Sequence, residues 1–121
     1  ARDMMMLWGY GFDAQFGANP VAGIHVMNTA SRLLERAPSG LLFNDLYASN
    51  AYLRGREAAA QVTAPTTIIC GAQDRMAPYR AALDLASLIP NCAIELIDQC
   101  GHILMSEQPE QTHQKLVAAL A

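Results

Sequence analysis

Two short runs rich in β-branched and apolar residues set the tightest limit on what this chain can fold into: Thr66-Thr67-Ile68-Ile69-Cys70 and Ala93-Ile94-Glu95-Leu96-Ile97. The first shows no in–out alternation, follows Pro65 and ends at Gly71, which is how a strand buried on both faces of a parallel sheet reads. Between the runs, Tyr79 to Ile89 is helical. It puts Ala82, Leu83, Ala86 and Ile89 on one face, and Pro90-Asn91 ends it. Pro109 suits the first turn of a closing helix whose Thr112, Leu116, Ala119 and Leu120 share a side. Strand–helix–strand–helix is a right-handed βαβ unit with one further helix, so the fold class is α/β. Two strands are too few for a stable sheet. Either a segment absent from this chain supplies more strands, or a second copy does.

Residues 1–60 have a different texture, helices joined by Gly, Pro and Asn turns. Val26, Ala30, Leu33, Leu34 and Ala37 recur at helical spacing until Pro38-Ser39-Gly40. A second helical run from Leu41 to Leu53 puts Leu42, Leu46 and Leu53 on one side. Met4 to Phe16 is helical in part, given Gly9 and Gly11. Apolar residues are 52% of the 121 and charged residues 16%, which argues against disorder and suggests apolar faces meant for something outside the chain. A net charge of −3 without a basic patch gives no support to nucleic-acid or anionic-membrane binding. No apolar run approaches the ~20 residues that span a bilayer. The charged-then-apolar start is interrupted at Gly9 before a signal-peptide core forms. Three cysteines (Cys70, Cys92, Cys100) form no paired framework, so the expected setting is reducing and cytoplasmic.

The polar residues of interest fall just past the two strands. Gly71-Ala72-Gln73-Asp74-Arg75-Met76-Ala77-Pro78 follows the first, and Cys100-Gly101-His102 follows the second after Asp98-Gln99. Active sites in open α/β sheets collect at this carboxyl edge. Neighbouring strands lie about 4.8 Å apart. An aspartate and a histidine on adjacent strand-end loops are therefore within reach of a hydrogen bond that fixes the imidazole tautomer.

Residues 65–74 with Pro78, the stretch Ile89-Pro90-Asn91-Cys92, and Gly101-His102 followed by Glu107, Pro109 and Glu110 resemble, in that order, the late-strand acid motif, the approach to the last strand and the histidine loop of α/β-hydrolases. The 28-residue separation of Asp74 and His102 is also usual there. The resemblance covers about residues 61–121 and implies the C-terminal part of the hydrolase core. Asp74 would be its catalytic acid and His102 its base. Residues 1–60 would then be a helical lid or cap. Trp8, Phe12, Phe16 and Met27, with Met76 and Ile103 beside the acid and the histidine, would line a pocket for a small apolar or acyl substrate; the plain alternative is that they are core side chains. The family's nucleophile sits in a Gly-x-Ser-x-Gly elbow. No such motif occurs here, since Ser31, Ser39, Ser49, Ser87 and Ser106 lack the flanking glycines.

Each residue also has a plainer reading. Asp74 can simply form an Asx-turn ahead of Pro78, and His102 can be a core or capping histidine. His25 and His113 fall on helices and are expected to face solvent. Cys70 lies in a strand, where a thiol behaves as a small hydrophobe rather than a nucleophile. Cys92, Cys100 and His102 match no zinc spacing, and neither metal nor cofactor is expected. Gly71 and Gly101 read as residues that permit sharp strand exits. Two functions follow. One is a hydrolase of an ester, amide or related acyl bond, incompetent in isolation and completed by a nucleophile-bearing segment. The other is an inactive domain that binds a small apolar ligand or self-associates as a homo-oligomer through the lid or an exposed sheet edge.

Overall fold

The computed structural model describes residues 2–17 and 21–121. Five helices precede the first strand: α1 (Arg2–Gly9), α2 (Phe12–Gln15), α3 (Val26–Arg36), α4 (Leu41–Ala51) and α5 (Gly55–Ala59). Then come β1 (Thr66–Gly71), α6 (Tyr79–Ala86), β2 (Cys92–Ile97), α7 (Leu104–Glu107) and α8 (Pro109–Leu120). The expected βαβ order is present. Thr66 pairs with Cys92 and Gly71 with Ile97 in a parallel two-stranded ladder, and α6 and α8 pack against both strands.

The chain departs from the sequence-based expectations in physically intelligible ways. The opening helical stretch is broken at Tyr10-Gly11, where Gly11 takes an extended conformation (φ −64°, ψ 163°), so α1 and α2 are separate. His25 is not within a helix but caps α3, its Nδ1 accepting the Asn28 amide at 3.3 Å. β1 was expected to be buried on both faces, yet only Cys70 and Gly71 are buried and the rest is half-buried. With two strands in the sheet among the described residues, less covers it than a full parallel sheet provides. Thr112 of α8 is buried, whereas Leu116 and Leu120, predicted to share its face, are exposed. Leu53 lies past the end of α4 and is 88% exposed.

Buried hydrophobic residues fall in both halves of the chain. Tyr10, Ala14 and Val26 gather Met6, Met27, Ala30 and Ile103 around them in the helical half. Beneath the strand ends, Ile97 and Cys100 are fully buried, with Cys70 and Ile89 nearly so. No helix among the described residues is long and apolar enough to cross a membrane.

Candidate active site

The site is built on two loops that leave the sheet side by side. Past β1, the Ala72 amide donates to Ile97 O (2.9 Å) and the Gln73 amide to Cys100 O (2.8 Å), so the first loop is hydrogen-bonded to the second. The turn after β2 is made by Gln99, which holds a left-handed φ of 53°. Gly71 and Gly101 do not have positive φ. Their need is for space: a Cβ on Gly71 would collide with the backbone of Cys100 and Gly101, and one on Gly101 with the backbone of Tyr10 and Gly11. Glycine here allows close approach of three chain segments rather than a sharp bend.

Asp74 is buried and divides its acceptors. Oδ1 takes the backbone amides of Met76 (2.8 Å) and Ala77 (2.9 Å), while Oδ2 lies 2.8 Å from His102 Nδ1. The local Asx-type turn and the contact with histidine thus coexist on one carboxylate, the turn aiming its second oxygen. The Asp74 side chain is 4% exposed and that of His102 is 39% exposed, so the pair presents imidazole to the outside and keeps carboxylate within. An ionised carboxylate only accepts hydrogen bonds, which puts the proton of a neutral His102 on Nδ1 and leaves Nε2 as a free acceptor.

The nearby thiols are held neutral. Burial, reinforced by the Glu107 and Asp74 carboxylates, pushes the Cys100 thiol up to about 12. Burial and then Asp74 raise Cys70, whose Sγ lies 3.7 Å from Glu95 O as donor. The thiolate is the reactive form, so neither thiol is poised as a nucleophile. Tyr10 is likewise raised, by burial and then by Glu107.

Two apolar grooves adjoin the loops. One of about 180 Å³ is lined by Met5, Met6, Gly9, Tyr10, Leu33 and Leu34 and reaches Met76 and Ile103, the residues flanking Asp74 and His102. The other, about 460 Å³, runs from Tyr10 and Ile103 past Val26 and Leu33 to Met105. Of the residues considered for a pocket, Met76 and Ile103 line the smaller groove, and Ile103 also lines the larger. Met27 packs against the Tyr10 cluster. Trp8, Phe12 and Phe16 line neither groove and are exposed, the two phenyl rings lying 4.6 Å apart.

Sequence reasoning singled out Glu107 only as part of a motif and missed its placement. It is 3% exposed, its Oε2 accepting the amides of Gly11 (2.8 Å) and Gly101 (3.0 Å) and its Oε1 that of Ile103 (3.2 Å). The local part was readable in principle: a glutamate in a helix's first turn reaching back to the preceding amide is related to the capping box. The bond to Gly11, 96 residues away, carries no local signal.

Residues 21–109 match the alpha/beta hydrolase fold family. Over 61 residues the chain is 38% identical to the monoacylglycerol lipase ABHD6 of Homo sapiens, a stretch that is 50% of this chain and 18% of that protein. Over 46 residues it is 41% identical to a 2-hydroxymuconate semialdehyde hydrolase of Pseudomonas putida, 38% of this chain and 16% of that protein. The matched stretches therefore amount to less than a fifth of the length of these relatives. A solved thermophilic esterase superposes on 99% of this chain with a TM-score of 0.75 at 20% identity, the match covering 44% of the esterase. The family match runs across well over half of the chain, which belongs to the alpha/beta hydrolase fold family.

Proposed function

We propose that Asp74 and His102 are the acid and base of a hydrolase acting on an ester, amide or related acyl bond, with the nucleophile supplied by a polypeptide segment other than these 121 residues. The observation that carries this reading is the 2.8 Å contact of a buried Asp74 Oδ2 with Nδ1 of a half-exposed His102, on loops past adjacent parallel strands. In it, His102 Nε2 takes the proton of an attacking hydroxyl and returns it to the leaving group. Asp74 holds the tautomer and stabilises the imidazolium formed in between. Residues 1–60 act as the lid, and the groove reaching Met76 and Ile103 takes the apolar part of the substrate. Three free cysteines support a reducing, cytoplasmic setting.

The test is labelling of the purified chain with a serine-directed fluorophosphonate, beside hydrolysis of an activated p-nitrophenyl ester. Wild type and His102→Ala should behave alike in both. Labelling or turnover that disappears in His102→Ala would mean that the chain builds a nucleophile of its own, contrary to the proposal.

A second reading, a self-associating domain, is favoured by one observation. Phe43, Tyr47 and Leu53 are each more than half exposed, with the Phe43 and Tyr47 rings stacked at 6.0 Å. A chain that sediments as a monomer at all concentrations would remove it.

A further inference from the structure

We infer that Glu107 is a positioning residue that fixes the His102 loop against the N-terminal helical segment, so that the turn between α1 and α2 sets the register of the acid–base pair. The inference rests on the reading of Asp74 and His102 as that pair.

Every backbone amide of the three-residue loop around His102 is committed. Gly101 and Ile103 donate to Glu107, and His102 itself donates to Gly9 O at 2.8 Å. Glu107 also accepts from Gly11, so both partners of the loop converge on residues 9–11. The acid loop is held to the two helices that flank this turn: Arg75 Nη2 donates to Leu7 O in α1 at 2.6 Å, and Gln73 Oε1 accepts the amide of Phe12, the first residue of α2. Two loops 28 residues apart in sequence thus share one reference. Gly11 is what lets this reference come close, because a Cβ there would stand 2.6 Å from Gln73 Oε1 and 2.9 Å from Glu107 Oε2. A buried carboxylate is costly unless hydrogen-bonded. Three amides compensate it here, and all three lie in the loop or in the turn that carries it. Removing the carboxylate leaves two buried amides and the half-buried Ile103 amide without their acceptor, and the loop regains freedom on both sides of the imidazole.

The experiment is 15N NMR of the histidine side chains in the full chain, with near-UV circular dichroism to report packing. In wild type, neutral His102 should carry its proton on Nδ1. Glu107→Ala should shift the tautomer ratio toward the Nε2–H form by about threefold to tenfold, the range set by one net hydrogen bond. Glu107→Gln, which keeps one carbonyl oxygen for Gly11 and Gly101, should fall between. Thr112→Val removes a different, half-buried hydrogen bond, from Thr112 Oγ1 to Gln108 O at 2.7 Å, without touching the loop. It should lower stability and leave the ratio unchanged. A folded Glu107→Ala with the wild-type ratio overturns the inference, as does an equal shift in Thr112→Val. Wild-type His102 in the Nε2–H form would instead overturn the acid–base reading. Native-state hydrogen exchange on wild type decides the matter should the variants not fold. The Gly11, Gly101, His102 and Ile103 amides should open in one event with a common denaturant dependence, and independent opening of Gly11 overturns the inference.

Discussion

The loops past β1 and β2 and the helix α4 stand at opposite ends of the internal organisation of this molecule. In the loops, two buried carboxylates and three close-packed glycines fix Asp74, His102 and the α1–α2 turn through short hydrogen bonds. Helix α4 has no buried residue, and Phe43 is 68% exposed. Both regions were readable as elements, yet only one is ordered by its own contacts. Hydrogen bonds to backbone amides set geometry from within a few residues of loop. An amphipathic or aromatic helix face is ordered only by what covers it.

The comparison is broken or sharpened most strongly at the glycines. Gly101→Val places a branched side chain where the backbones of Tyr10 and Gly11 already lie. It should cost about 3 kcal/mol or more, at the upper end of overpacking penalties, and urea denaturation would read this as a much lower midpoint. An unchanged midpoint would mean that the loops are not close-packed.

A smaller effect is expected from Cys100, fully buried at the base of the loops. Its folded-state value is raised above 9.0 to about 12, so the fold binds the thiol proton more tightly than the unfolded chain does. The stability this contributes is fully present below about 9 and is lost as pH rises toward 12. Thermal melts from pH 8 to 11 should fall less steeply in Cys100→Ala than in wild type; parallel profiles would contradict the burial of the thiol. By the same argument, a thiol reagent at pH 8 should modify the half-buried Cys92 well before Cys70 or Cys100.

The smallest effect belongs to α4. The double substitution Phe43→Ser, Tyr47→Ser should change stability by less than about 0.5 kcal/mol, because the side chains are exposed. It should reduce any concentration-dependent association seen by sedimentation. A large stability loss would show that α4 is packed after all.

Legibility in the sequence followed the range of the forces involved. Pro65, Gly71 and the Cys-Gly-His stretch punctuate strands locally, so β1, β2 and the loops carrying Asp74 and His102 could be placed from residues alone. Periodicity revealed which residues of α8 share a face, but not that Leu116 and Leu120 face solvent while Thr112 is covered. That outcome depends on neighbours. The break at Tyr10-Gly11 and the bond from Gly11 to Glu107 join positions 96 residues apart. No local pattern encodes such a contact, so the motif that includes Glu107 gives no sign that this residue ties the loops to the helical segment.

The central claim, that Asp74 and His102 serve a nucleophile outside these residues, is tested most directly by supplying one. The part of the thermophilic esterase that superposes on this chain would be replaced by the chain, including Asp74 and His102. Ester hydrolysis by the chimera would then be measured with and without His102→Ala. The account predicts a working chimera whose rate falls by about 10⁴-fold on His102→Ala, and nearly as far on Asp74→Asn. A folded, active chimera indifferent to both substitutions would contradict it.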